Sequence, residues 1–241
     1  MSTEAQIARL FVPFLERHPE FIRVGRTILR RPVGHLVLGF ELQRRAYEGS
    51  VYPLWGAGIA FGPPPNFGGG IGQTVQRAIG YLDDQGIEER LLNELDLANT
   101  AFLDRVTSLE VLLEPEAIGY TGLPMMRHVR ALVLAALGRL EEADELLEAD
   151  IRHRQALDER AVARKSNSRP DSMASRREME GRQMNAAFLG ELRLVHSSIA
   201  QRDKAGLAIV LHDWERRGSV ARKIEHLWEP SPFPFELGTG D

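Results

Sequence analysis

The stretch of this chain that most resembles a site for chemistry is rich in glycine and spans residues 62–82, GPPPNFGGGIGQTVQRAIGYL. A glycine loop at the start of a helix can hold a phosphate on its backbone N–H groups. The dinucleotide-binding fingerprint requires glycines at positions i, i+2 and i+5. Here Gly70 and Gly72 are followed by Val75, and the upstream stretch GAGIAF also lacks the third glycine.

A Walker-type phosphate loop requires a lysine, and residues 1–164 contain none. The prolines and glycines of the stretch interrupt both the helical and the strand period. We therefore predict that residues 62–82 form a flexible connection between a sheet and a helix. An anion-binding loop on bare backbone N–H groups is the alternative.

The other residue types that carry chemistry are absent or poorly placed. The chain has no cysteine, which excludes disulfides, thiolate nucleophiles, zinc knuckles and iron–sulfur clusters. Its seven histidines are scattered singly, with no i,i+4 pair, and the G-x-S-x-G nucleophile motif does not occur. Neighbouring carboxylates such as Asp83 and Asp84 point away from each other on a helix. We expect no catalytic residue, no metal site and no cofactor.

Composition indicates a soluble globular chain of 241 residues with a formal net charge of −4. No apolar run is long enough to span a bilayer and the N-terminus does not resemble a signal peptide, so we expect a cytoplasmic protein with no membrane partner. Residues 160–177 are basic, but they lack the interleaved aromatic residues of single-strand nucleic-acid binders. Pairing of this segment with the protein's own acidic face is favoured over nucleic-acid binding.

Hydrophobic periodicity predicts the elements of the first half. Apolar residues recur at helical spacing from Ile7 to Leu15, and the period changes to two in GHLVLGFELQRR. FIRVGRTILRR and SVYPLWGAGIAFG are further strand candidates, and Pro53 favours an edge or first position for the latter. The pattern predicts an N-terminal helix and a small antiparallel sheet of three or four strands, packed on helices.

The rest of the chain has a helical pattern. Apolar residues at three- and four-residue spacing from Ile87 to Leu113 predict one long amphipathic helix, and two helical hairpins follow. Residues 160–177 predict a loop or linker between the hairpins, and residues 229–241 a proline-rich tail held on the surface. The expected class is α+β, with an α+β domain over 1–116 and a helical domain over 117–241.

Two segments resemble known families. ALGRLEEADELLE resembles the helical hairpin of a tetratricopeptide repeat, a family of peptide-binding solenoids. The first 115 residues resemble the bacterial domain-of-unknown-function family 4304 in their order of helix, phenylalanine-containing strand, glutamine-containing strand and glycine segment. The matching positions are Phe21, Gly25, Arg26, Phe40 and Gln43. Some members resemble immunity proteins, so the resemblance implies a protein that occludes a bacterial toxin.

Charge is unevenly distributed along the chain. Residues 83–116 contain ten acidic residues and two arginines, whereas residues 1–47 contain eight arginines and four glutamates. An acidic face would attract a basic protein partner such as a nuclease toxin. The expected partner-binding residues are Asp83, Asp84, Glu88, Glu89, Glu94 and Asp96.

Three functional hypotheses follow from the sequence. The leading one is a non-enzymatic protein-binding protein, with an immunity protein as its specific form. The alternative is an enzyme or small-molecule-binding protein with a pocket between the sheet and the helices, formed by Arg26, His35, Gln43 and Trp55. The third is a scaffold that assembles into homo-oligomers through its helical half.

Overall fold

The computed structural model describes residues 4–44, 50–64, 69–75, 80–81, 84–164 and 173–238. A helix, an antiparallel sheet and a series of helices follow one another, which confirms the α+β class. The helices are α1 (Glu4–Arg17), α2 (Ile87–Ala101), α3 (Leu109–Leu113), α4 (Arg127–Ala136), α5 (Leu140–Arg164), α6 (Met173–Ala200) and α7 (Lys204–Arg222). The strands are β1 (Phe21–Val24), β2 (Thr27–Arg30), β3 (Leu36–Arg44), β4 (Ser50–Ile59), β5 (Gly70–Thr74) and β6 (Gly80–Tyr81).

The described ranges divide into two compact units. The first lies within Met1–Ala60, Gly69–Met125 and Ser219–Ser231, and it contains the sheet. The second lies within Phe61–Gly68, Met126–Gly218 and Pro232–Asp241, and it is helical. None of the helices in the described ranges has both the length and the apolar character that a bilayer crossing requires.

The sheet is larger than the sequence pattern indicated, with six strands in the described residues. Its order is β1-β2-β3-β4-β5, and β6 pairs with the start of β4. The segment FIRVGRTILRR forms a hairpin, β1 and β2, because Gly25 takes a left-handed conformation (φ 61°) that turns the chain back.

The prediction that residues 62–82 only connect the sheet to a helix is wrong for residues 80–81, which form β6, and for residues 70–74. These residues form β5, which pairs with β4 from Leu54 opposite Thr74 to Gly58 opposite Gly70. Glycine weakens a strand but is favoured where two backbones approach closely. A Cβ at Gly70 would lie 2.1 Å from the carbonyl oxygen of Ala57. Close contact between the strands therefore explains the glycine at position 70, which the sequence pattern had assigned to a connecting loop.

The predicted edge position of Pro53 is also wrong, because β4 pairs with β3 on one side and with β5 and β6 on the other. The carbonyl oxygen of Pro53 accepts a hydrogen bond from the N–H of Val75 at 2.9 Å. The missing proline N–H thus faces the position just after β5 ends. A proline is tolerated in this central strand because no ladder bond is lost inside β5.

The predicted single helix from Ile87 to Leu113 is broken. Helix α2 ends at Ala101, a turn of 3₁₀ helix follows at Leu103–Arg105, and α3 begins at Leu109. The guanidinium of Arg30 donates to the carbonyl oxygen of Leu103 at 3.1 Å and to Oδ1 of Asn99 at 2.7 Å. The apolar spacing continues across the break because α2 and α3 each bury residues of the apolar pattern that runs from Ile87 to Leu113.

The helical unit contains the expected hairpins. Gly138 is left-handed (φ 82°) between α4 and α5, and Oδ1 of Asp203 caps α7 by accepting the N–H of Gly206 at 2.9 Å. The predicted loop at 160–177 is wrong at both ends, where residues 160–164 end α5 and 173–177 begin α6. Residues 165–172 lie outside the described ranges.

The predicted tail is described up to residue 238, and residues 239–241 lie outside the described ranges. Phe233 and Phe235 are buried, and the ring of Phe233 meets Phe61 edge-on at 5.0 Å. His212 is within 2.9 Å of Oε2 of Glu236, which also accepts the N–H of Phe233 at 2.7 Å. Aromatic burial and two polar contacts therefore fix residues 233–236 within the helical unit, whereas residues 229–231 belong to the sheet-containing unit.

Candidate functional site

One face of the sheet is fully packed. Alternate side chains of β3 and β4, including Phe40 and Trp55, point toward this face and are buried. Phe14 of α1 meets Phe40 edge-on at 5.6 Å, and Phe102 stacks on Trp55 at 4.6 Å. Since these contacts fill the space, this face offers no room for a ligand at Trp55.

The opposite face of the sheet carries a patch without side chains. Gly39 of β3, Gly56 of β4 and Gly72 of β5 lie side by side in register, and Gly58 and Gly70 form a second row. Neighbouring strands are about 4.8 Å apart and alternate residues about 6.8 Å apart along a strand. The bare patch therefore measures roughly 10 by 7 Å.

Strand packing explains four of these five glycines. A Cβ there would lie between 2.1 and 2.8 Å from a backbone carbonyl oxygen of an adjoining segment; these positions are Gly39, Gly58, Gly70 and Gly72. Gly56 differs, because a Cβ at this position would approach nothing closer than the carbonyl oxygen of Ile71 at 3.9 Å. The fold would accept a side chain at Gly56, at the centre of the patch.

The glycine patch is the floor of a groove of about 490 Å³. Leu29, Val37 and Leu54 are the apolar side chains that border it on this face. Leu29 and Val37 are held in place by an apolar cluster that includes Ile224 and Leu227, from the segment that follows α7. We call this cavity the glycine groove.

Few polar side chains line the glycine groove. Glu41 of β3 lies on one wall and receives a hydrogen bond from Nε2 of Gln43 at 3.4 Å. Arg222, in the last turn of α7, also lines the groove. It is half-buried and has no hydrogen-bond or ion-pair partner among the described residues. Burial lowers the pKa of its guanidinium below the ordinary value.

The four residues predicted to form a ligand pocket do not converge. Trp55 lines the groove through its strand, while its ring packs on the opposite face. Gln43 accepts a hydrogen bond from the hydroxyl of Tyr52 at 3.1 Å, and Arg26 donates to the carbonyl oxygen of Leu42 at 3.4 Å. Nε2 of His35 lies 3.3 Å from the hydroxyl of Ser231. Of these predicted residues, only Trp55 borders the groove.

Three of the predicted partner-binding acids form ion pairs with residues of their own chain. Asp84 lies 3.6 Å from Arg90, Glu88 lies 3.0 Å from Arg9, and Asp96 contacts both Arg17 and His18. Contacts between α1 and α2 thus pair two of the ten acidic residues of 83–116, Glu88 and Asp96, with arginines. Glu89 and Glu94 have no such partner among the described residues, and Asp83 lies outside those residues.

A buried polar cluster lies in the helical unit. Arg154 of α5 is within 3.1 Å of Nδ1 of His128 and donates to Asp150 at 2.6 Å. The ring of Phe188 meets His128 edge-on at 5.1 Å. Burial, and then the positive charge of Arg154, lower the pKa of His128 to about 4, although Asp150 opposes the shift. The neutral ring accepts a hydrogen bond from the guanidinium, so the cluster is a structural network.

A second cavity, of about 380 Å³, lies at the hairpin ends of the helical unit. The charged groups that line it are partly matched within the chain: Arg202 lies 3.8 Å from Glu141, and Asp144 lies 3.3 Å from His196. In the part of the chain that the structure describes, no three His, Asp or Glu side chains are grouped as metal ligands. The glycine groove, where Arg222 has no partner among the described residues, is the better candidate site.

Comparison with known proteins gives no family: no family model, no curated protein and no solved structure matches this chain. The resemblances to the tetratricopeptide hairpin and to domain-of-unknown-function family 4304 therefore stay predictions. The same holds for the immunity-protein hypothesis.

The sequence pattern contained a signal for the groove. Glycines two residues apart at 56 and 58, and again at 70 and 72, share a face if both segments are strands. Because these glycines do not have the spacing of the dinucleotide-binding fingerprint, that motif alone indicates no site. Arg222 gave no local signal, because its position at the groove depends on where α7 ends.

Proposed function

We propose that this protein binds a small, flat apolar molecule in the glycine groove. The observation that carries the proposal is Gly56, which is open to the groove although no strand contact requires a glycine there. Glycine in a strand costs about 0.5–1 kcal/mol relative to a residue with a side chain. The stability of the fold therefore does not explain why a glycine stands at position 56, at the centre of the floor.

The shape of the groove supports this ligand class. Ligand sites are concave, mostly apolar and contain few polar groups, with volumes of about 300–1,000 Å³. The glycine groove has a volume of about 490 Å³, and among the described residues that line it most are apolar or glycine, with Thr27, Glu41 and Arg222 as the polar side chains. A floor of peptide groups without Cβ atoms is flat, which suits a planar ring system lying parallel to the sheet.

Binding is favoured over catalysis by the contents of the groove. General acid–base chemistry requires titratable groups within reach of one another and of the substrate. Among the described residues that line the groove, Glu41 and Arg222 are ionisable, and they do not form an ion pair with each other. We therefore propose a binding protein, which corresponds to the small-molecule alternative and differs from it in the face of the sheet that is used.

The test is a Gly56→Val variant. Valine is favoured in strands and its Cβ meets no close atom, so we expect the fold to remain, with a stability equal to the wild type or higher by about 1 kcal/mol. The two methyl groups would occupy the floor. For the neutral planar probe 2-naphthylmethanol, we expect at least a tenfold loss of affinity in ligand-observed NMR titrations.

The matched control is Thr74→Val, which places the same side chain on the same face of the sheet but outside the groove. We expect its affinity for 2-naphthylmethanol to equal that of the wild type. If Gly56→Val is folded and binds the probe as tightly as Thr74→Val, the ligand does not lie on the glycine floor and the proposal is wrong.

A further inference from the structure

Arg222 is a residue of the glycine groove whose guanidinium lacks a hydrogen-bond or ion-pair partner among the described residues. It belongs to the sheet-containing unit and borders the groove together with apolar residues such as Leu54 and the glycine floor. No carboxylate, carbonyl or ring in the described residues contacts its guanidinium. A charged group that is taken partly out of water without a partner costs free energy.

Other arginines of the same unit offset this free-energy cost by contacting acidic or carbonyl groups. The guanidinium of Arg30 contacts Asn99, Asp104 and the carbonyl oxygen of Leu103, and its side chain is 20% exposed. Arg9 and Arg17 each contact an acid of α2. A partly buried arginine that borders a cavity and has no such partner therefore differs from the arginines that stabilise the fold.

Glu41 does not supply the missing partner. Its carboxylate lies on the wall of the same groove, but it forms no ion pair with Arg222 and accepts a hydrogen bond from Gln43. A ligand with a cationic group would approach Glu41 at the cost of repulsion from Arg222. A ligand with an anionic group would give the guanidinium of Arg222 the partner that it lacks among the described residues.

We propose that the ligand of the glycine groove is a planar aromatic carboxylate, whose ring lies on the glycine floor and whose acid group is bound by Arg222. This inference depends on the proposed function, since it assigns the chemistry of a molecule bound at the same site. A guanidinium holds a carboxylate through two parallel hydrogen bonds. Such a charge-assisted contact in a partly apolar cavity changes affinity by about tenfold or more.

The experiment compares 2-naphthoate with 2-naphthylmethanol, which has the same ring system and no charge. Affinities are measured by ligand-observed NMR titration for the wild type, Arg222→Met and Arg222→Lys. Methionine keeps most of the aliphatic stem and removes the charge, whereas lysine keeps the charge without the planar fork. Arg216→Met is the matched control, because Arg216 lies on the same helix, contacts Asp213 and is not among the residues that line the groove.

We expect the wild type to bind 2-naphthoate at least tenfold more tightly than 2-naphthylmethanol. We expect Arg222→Met to abolish this preference without weakening 2-naphthylmethanol, Arg222→Lys to keep part of it, and Arg216→Met to keep all of it. Equal affinities of the wild type for the two probes, or a preference that persists in Arg222→Met, would overturn the assignment of an anion while the proposed function stands. Binding of neither probe would overturn both.

Discussion

A Trp55→Ala variant is expected to lose about 3–5 kcal/mol of unfolding free energy. The Trp55 side chain is 1% exposed, and its ring stacks on Phe102 at 4.6 Å with an interplanar angle of 10°. Tyr120 meets the same ring edge-on at 5.8 Å. Alanine would leave a cavity between the central strand and the break after α2, and surrounding groups close such cavities only in part.

The measurement is chemical denaturation of the wild type, Trp55→Ala and Leu97→Ala. Leu97 lies on α2 in the same unit and is 66% exposed, so its truncation should change the stability by less than about 0.5 kcal/mol. A loss below about 1 kcal/mol for Trp55→Ala would mean that the packed face of the sheet is not the core of this unit. It would also weaken the argument that the opposite face is the one left free.

The second large effect is a loss of unfolding free energy at low pH. We expect His128 to lower the stability by about 3 kcal/mol between neutral pH and about pH 4, because its pKa falls from 6.5 in the unfolded chain to about 4 in the fold. A histidine with a lowered pKa binds its proton in the unfolded chain first. Its contribution is therefore complete above about pH 6.5, declines as the pH falls, and is lost below about pH 4.

The check is the free energy of unfolding of the wild type, His128→Gln and His153→Gln, each at several pH values from about 7 to 4. Glutamine at 128 can still accept a hydrogen bond from Arg154 but does not titrate. We expect the decline with acid to be shallower in His128→Gln by about 3 kcal/mol in total, and unchanged in His153→Gln, whose side chain is exposed. Parallel curves for the wild type and His128→Gln would show that this ring is not held neutral by the buried cluster.

Much of the fold was predictable because the hydrophobic period is a local property. The alternation around Phe40 gave β3, and the turn at Gly138 and the cap at Asp203 gave the helical hairpins. Helix α1 also lies where its apolar spacing indicated. These elements are determined by residues near to one another in the sequence.

The errors arose where distant segments decide the local structure. Residues 70–74 form a strand because β4 offers glycines opposite its own, and the sequence of either segment alone resembles a loop. The helix from Ile87 ends at Ala101 where Arg30, on a strand far away in the sequence, binds the carbonyl oxygen of Leu103. Contacts between segments that are distant in the sequence cannot be predicted from the local hydrophobic periodicity.

The candidate site was hidden for the same reason. A face of the sheet without side chains appears only when the register of three strands is known, and the four residues proposed from their chemical types do not meet in one place. The expectation that Asp84, Glu88 and Asp96 bind a partner stays a prediction. The packing of helices and turns, which the sequence pattern did not indicate, brings each of these acids against an arginine of its own chain. Charge read along a chain does not show which charges neutralise each other.

The most direct measurement is an NMR titration of isotope-labelled protein with 2-naphthylmethanol, following the backbone amide signals of the glycines. A ring that lies flat on the sheet should shift the signals of Gly39, Gly56 and Gly72 most, with saturation at a single affinity. Signals at Gly138, in the second cavity of the helical unit, should stay in place. Shifts that are centred on Gly138, or that spread without saturation while Gly56 is unaffected, would contradict a ligand site in the glycine groove.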